Sequence, residues 1–305
     1  LTRLLALPLS TLALLAACGS APASRPAPAP AARYNGEGLR RLERGDLRGA
    51  EELFRDALRE AELLDDLQGQ AEAWNNLGAL SASRGALPDA RAQHAVALRL
   101  YLARGSEDPG LLRTRTNLGS ALLALDAVND AESQFNEAIA LASRLGQPDA
   151  ASLARVGLAT IALRRSQPQR ALELARNEVA LARRANLPSS HAAALTIEAA
   201  ALELLGQLEE ARLRLEEALS LDRKREHPPA VREDLRALAR LRERQGARSE
   251  AASYLARAAR VSRRMEDLDA ARSELRRAIE LLGDGPEASQ LRAELEVLES
   301  SPSGR

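Results

Sequence analysis

The chain has 305 residues, with 43 Lys+Arg against 43 Asp+Glu, so its formal net charge is zero. That balance argues against a dedicated nucleic-acid binder, which carries a clear basic excess. Hydrophobic residues make up 45% and aromatics only 2%, so the apolar mass is mostly Ala and Leu; at 28% charge this composition favours helix and disfavours strand. The lone cysteine excludes an internal disulfide, and three scattered histidines (His94, His191 and His227) argue against a metal site.

In chain order, Arg3 and the terminal amine form a short positive region ahead of an apolar stretch from Leu4 to Ala17. As helix that stretch spans about 21 Å, short of the ~30 Å hydrocarbon core, so residues 1–17 read as an export signal rather than a transmembrane helix. Leu15-Ala16-Ala17-Cys18 resembles the lipobox of bacterial lipoproteins. The resemblance implies cleavage between Ala17 and Cys18, a diacylglycerol on the Cys18 thiol, and often acylation of its amine. Two or more chains anchor stably where one holds only marginally. Gly19, where Asp would mark retention, implies release to an outer membrane. The alternative is an ordinary signal peptide in which Cys18 is incidental. Residues 18–33 then read as a lipidated cysteine followed by a Pro/Ala-rich tether, with a reach of up to about 45 Å in polyproline II.

From residue 34 a repeat begins. Ala50, Ala90, Ala131, Ala171, Ala211 and Ala251 recur at intervals of 40 or 41 residues. Twelve residues before each stands Gly38, Gly78, Gly119, Ala159, Ala199 or Ala239; four after come Phe54, His94, Phe135, Ala175, Leu215 and Leu255. Seven after come Ala57, Ala97, Ala138, Glu178, Ala218 and Ala258. Small residues at fixed phase let helices approach closely, and the residue one turn later fills the adjoining gap. The segments GDLRGA, GALPDA, DAVNDA, SQPQRA, GQLEEA and GARSEA each end on the phased alanine and carry turn and capping residues. Each unit therefore reads as two antiparallel amphipathic helices.

This pattern resembles the tetratricopeptide repeat, most closely at Trp74-Asn75-Asn76-Leu77-Gly78 through Ala97 and at Asn117-Leu118-Gly119 through Ala138. The period of forty exceeds the usual ~34, and His94 and Glu178 depart from the family's residue types. The resemblance implies an all-α fold: an α-solenoid of about six helix pairs over residues 34–300, wound as a right-handed superhelix. A seventh, capping pair is expected near 268–282 and 286–300, around Gly283-Asp284-Gly285-Pro286, with Ile279 and Leu291 in phase but large. The other reading takes Ala271, Leu275 and Ala278 as an irregular second-helix motif. Residues 301–305 read as a disordered tail.

No catalytic constellation, metal-ligand spacing or phosphate loop emerges, so the chain reads as a non-enzyme with no cofactor beyond acyl groups on Cys18. By the resemblance, first helices line a concave groove. Its inward positions would include Asn75, Asn76, Ala79, Arg113, Asn117, Ser120, Thr160, Thr196, Arg236 and Arg240. The asparagines suit a bound backbone and the arginines suit carboxylates; alternatively, the asparagines stabilise packing between units. The expected function is a lipid-anchored periplasmic scaffold or adaptor. Its protein partners would belong to envelope assembly, a cell-wall enzyme or pilus and secretin machinery, without nucleic acid. The alternative is a binder of a small ligand or peptidoglycan fragment, against which the scarcity of aromatics argues; only Trp74, Tyr34, Tyr101 and Tyr254 accompany the two phenylalanines.

Overall fold

The computed structural model describes residues 29–105 and 107–300. The signal segment, Cys18 and the tether up to residue 28 lie outside the described residues, as do 301–305. Among the described residues there are fourteen α-helices and no strand, arranged as seven successive pairs. They are α1 (Pro30–Glu43) with α2 (Leu47–Leu63), α3 (Leu67–Ser83) with α4 (Leu87–Arg104), α5 (Pro109–Ala124) with α6 (Val128–Arg144), and α7 (Ser152–Arg164) with α8 (Pro168–Arg184). Then follow α9 (Pro188–Leu204) with α10 (Leu208–Lys224), α11 (Pro228–Arg244) with α12 (Arg248–Arg264), and α13 (Leu268–Leu282) with α14 (Pro286–Ser300). A short 3-10 turn at Pro148–Ala151 precedes α7. Helix α1 begins inside the stretch read from the sequence as tether, so the array starts at Pro30 rather than at residue 34.

Most helices have 17 residues, about 25 Å of rod, and most connections have three. The connection repeats one backbone device. The middle residue takes a left-handed φ: Gly45, Gly85, Gly146, Gly206 and Gly246 at some turns, Asp65, Asp126, Ser166, Asn186, Glu226 and Glu266 at others. The next amide then donates to the carbonyl five residues back, as in Ala86 to Ser81, Gln167 to Ala162, Gln207 to Leu202 and Asp267 to Ser262, at 2.9–3.0 Å. This satisfies carbonyls that the helix end would otherwise leave open. Asp46, Asp66, Asp108 and Asp267 cap the following helix by accepting from a backbone amide. Pro109, Pro168, Pro188 and Pro228 open helices where a missing N–H costs nothing.

Packing explains the forty-residue phase. Ala50, Ala90, Ala131, Ala171, Ala211 and Ala251 are all fully buried. At the first-helix crossing the glycines sit under rings. A β-carbon at Gly38 would lie 2.5 Å from Phe54, one at Gly78 2.6 Å from His94, and one at Gly119 2.7 Å from Phe135. In later pairs Ala159, Ala199 and Ala239 stand at the glycine's position and the partner shrinks to Ala175, Leu215 and Leu255. Volume is thus traded across the crossing, Gly with Phe or His in the early pairs and Ala with Leu in the fifth and sixth.

The seventh pair occupies the expected spans. Ala271, Leu275 and Ala278 lie on α13, a first helix, and are buried in a cluster with Ala251, Ala252, Ala256 and Ala259 of α12. The irregular second-helix reading of those residues is therefore set aside. Leu291 and Leu298 of α14 close the same cluster.

Candidate interaction surface

The order of helices decides which face is available. Helix α1 touches α3, α3 touches α5, α5 touches α7 and α7 touches α9, whereas no second helix approaches another second helix to that extent among the described residues. From α1 to α9 the first helices thus crowd together on one side while the second helices splay on the other, which makes the first-helix side the inner face; further along, the Arg236–Glu274 ion pair joins the first helices α11 and α13.

The residues singled out from the sequence divide into two sets on that face. Asn75 and Asn76 are buried at 1% and 4% exposure. The Asn76 amide donates to Asn35 Oδ1 at 3.0 Å, joining α3 to α1. Asn75 Oδ1 accepts from Asn117 Nδ2 at 3.3 Å and faces His94 Nδ1 at 3.0 Å, joining α3 to α5 and α4. Burial pushes the His94 imidazole down to about 4, so it is neutral at pH 7. Asn75 and Asn76 offer no free surface; their amides are engaged between helices. Thr160 and Thr196 turn their hydroxyls back to the carbonyls of Val156 and Ala192. Arg236 is held by Glu274 at 2.5 Å and Glu233 at 2.9 Å. In the other set, Arg113 and Arg240 are exposed, Ser120 is exposed although its hydroxyl donates to the Thr116 carbonyl at 3.0 Å, and Ala79 and Asn117 are half-buried.

Several buried polar groups escaped sequence reasoning because their partners lie on other helices, a dozen or more residues away. Glu178, buried where the family has a small residue, accepts from Ser152 Oγ and Arg155 Nε. Arg155 also donates to the Pro148 carbonyl at 2.8 Å, so the departure at Glu178 braces the 3-10 turn ahead of α7. Glu198 of α9 accepts from Arg176 Nε at 3.1 Å and lies 3.3 Å from Arg214 Nε. Glu274 is bound by Ser262 Oγ at 2.7 Å as well as by Arg236. Asp234 of α11 is 3% exposed and faces Asp222 of α10 and Thr196. Burial first, then the Asp222 charge, pushes its carboxyl up to about 7. The only advance signal for these groups was the oddness of Glu178.

Among the described residues no group of three or more His, Cys, Asp or Glu side chains could hold a metal ion. The aromatics do not gather. Tyr101 is buried in α4, Trp74 is half-buried in α3, Tyr34 lies on α1, and Tyr254 of α12 stacks under Arg257. One hollow of about 350 Å³ is lined by Tyr101, Leu111, Arg115, Glu137 and Arg144, with Arg115 paired to Glu137 across it at 2.5 Å.

The comparisons agree with this architecture. A family model described as Tetratricopeptide repeat matches residues 69–144, the second and third pairs. No curated protein matches the sequence. Among solved structures, the chain is similar to a signal-transduction ATPase with numerous domains that has a tetratricopeptide repeat sensor, from Pyrococcus horikoshii. That match has 14% identity and a TM-score of 0.64, and covers 89% of this chain and 42% of the other. A Rap protein complexed with competence and sporulation factor matches at 12% identity and TM-score 0.60, over 85% of this chain and 76% of its own. Aspartyl phosphate phosphatase F from Bacillus subtilis matches at 14% identity and TM-score 0.55, over 89% and 70%. Likeness at these identities establishes architecture: the chain is an all-α solenoid of tandem helix pairs, and residues 69–144 match the tetratricopeptide repeat model.

Proposed function

We propose that the chain is a non-catalytic scaffold that holds a protein partner along its first-helix face. In this reading it is anchored by acyl chains on Cys18 to the outer membrane of a bacterial envelope and faces the periplasm. The observation that carries the reading is the division of that face: most of its buried amides and carboxylates are engaged within the array, while Arg113 of α5 and Arg240 of α11 stay exposed. Exposed guanidinium donors on an open inner face suit a polypeptide more than a substrate that must be enclosed and dried. The Rap protein of similar fold is itself a complex, which supports a ligand-holding role for such an array. The scattered aromatics lend no support to the glycan alternative.

Photo-crosslinking tests this. A benzoylphenylalanine at Ser120 or Arg240 should capture the same protein from envelope extract, and one at the exposed Arg48 of α2 should not. Capture at all three positions, or recovery of muropeptides alone, would overturn the reading. The anchor is tested separately. The wild type should incorporate labelled palmitate and fractionate with membrane, and Cys18→Ser should abolish both; retention of Cys18→Ser would point to the uncleaved apolar segment instead.

A further inference from the structure

Most arginines of this array are matched to carboxylates, as Arg84 is to Glu51 or Arg165 to Glu132. The C-terminal turn of α10 and the outer face of α12 are different. Arg223, Lys224, Arg257, Arg260, Arg263 and Arg264 take part in no ion pair and no side-chain hydrogen bond among the described residues. Arg257, Arg260 and Arg264 follow each other at three- and four-residue steps, one stripe of α12, opposite the buried Ala251, Ala252, Ala258 and Ala259. Arg257 is half-buried, and its guanidinium lies over the Tyr254 ring, 5.1 Å from the centroid. Stacking fixes the plane of the fork and leaves its N–H edge free. Burial and the neighbouring charges of Arg223 and Arg260 hold the Arg257 pKa below its usual range, so both lie within electrostatic reach of Arg257.

We propose that this stripe, centred on Arg257, is a docking site for a carboxylate-rich segment of a protein partner. The site lies on the second-helix side and stands whatever the inner face binds. Like charges gathered without counterions lower the stability of the free array and are relieved when an anion arrives, and a stacked planar guanidinium is preformed for two-pronged recognition of an oxyanion. A protein segment fits better than a lipid surface because α12 exposes no large apolar side chain to enter a bilayer. It fits better than nucleic acid because the chain as a whole carries no net positive charge to attract a long polyanion.

The test is fluorescence anisotropy of a labelled decaglutamate peptide with the full chain. Binding should weaken at least tenfold in Arg257→Gln/Arg260→Gln, and severalfold in Arg257→Lys, which keeps the charge and loses the fork. The single exposed change Arg260→Gln should weaken binding without lowering the melting temperature. The control Arg91→Gln/Arg99→Gln, two unpaired arginines on α4, should leave affinity unchanged. The proposal fails if the control loses affinity equally, or if the double variant binds like the wild type. It also fails if vesicles with one quarter phosphatidylglycerol, or a 20-base-pair duplex, bind more tightly than the peptide in the same buffer.

Discussion

Asp234 shows how a single buried side chain sets a pH response. Its carboxyl is raised from 3.8 to about 7, so the stability of the neutral form is complete below the unfolded value and is lost as pH rises through 7. His94 works in the opposite direction: lowered to about 4, it must gain a buried charge as acid is added, and stability falls as pH drops from 6.5 toward 4. Asp234→Asn should therefore raise the melting temperature at pH 8, by roughly 1–3 kcal/mol of stability, and remove the decline between pH 4 and 8 while leaving the acid limb intact. Thermal melts at half-unit pH intervals check this; an unchanged alkaline limb would place the titration elsewhere. The turn residues make a second case. Gly206→Ala forces a β-carbon into a left-handed backbone and should cost about 1 kcal/mol, whereas Glu226→Gly, at the same position of another turn, should stabilise by up to about 1 kcal/mol. Urea titrations of the two variants measure both signs.

At the scale of the element, the crossing of a first and a second helix is the conserved unit of construction along this chain. Gly119 beneath Phe135 is tight enough that Gly119→Ala should destabilise by about 1–3 kcal/mol. Shrinking the ring should relieve it. In Gly119→Ala/Phe135→Leu the loss should be smaller than the sum of the single losses, because the pair then resembles Ala199 with Leu215. A double-mutant cycle in urea reads that coupling, and strict additivity would mean that ring and glycine do not share the space. The crossings were legible in the sequence because volume at a fixed interval is visible as letters: Gly with Phe, Ala with Leu. The bridges between crossings were not. Asn35 to Asn76, Arg236 to Glu274 and Arg176 to Glu198 join helices whose mutual rotation is set only by packing.

The whole molecule behaves as a row in which each pair meets only its neighbours, so what happens at an end propagates inward. Helix α14 contacts α13 and closes the cluster of Leu275, Leu281, Leu291 and Leu298. Ending the chain after Leu282 should bare that cluster, lower the urea midpoint of the last pairs first and promote self-association, visible by hydrogen exchange and size-exclusion chromatography. A second whole-molecule property is the ladder of acids in second helices held by arginines of the next pair, Glu51 by Arg84 and Glu132 by Arg165, with Glu209 held by Arg212 and Gln245. Each carboxyl is lowered from 4.5, so its contribution is present above that value and lost as pH falls through the lowered one. Melting between pH 5 and 3 should therefore fall along the whole array, and less steeply in high salt.

The sequence by itself determined the period, the helix pairs, the phased alanines and the capping pair, because these follow from local volume, helix propensity and turn chemistry, each written within a few neighbouring residues. Only the tertiary structure decided which polar side chains are free. Asn75 and Arg113 look equally suited to a partner as letters, yet one is locked between α3 and α5 and the other faces solvent. The reason is geometric: whether a polar group has a partner depends on how far each rod is rotated against the next. That angle is set by the sum of many contacts rather than by any one residue, and it also left Arg257 and its neighbours on α12 without a carboxylate to meet.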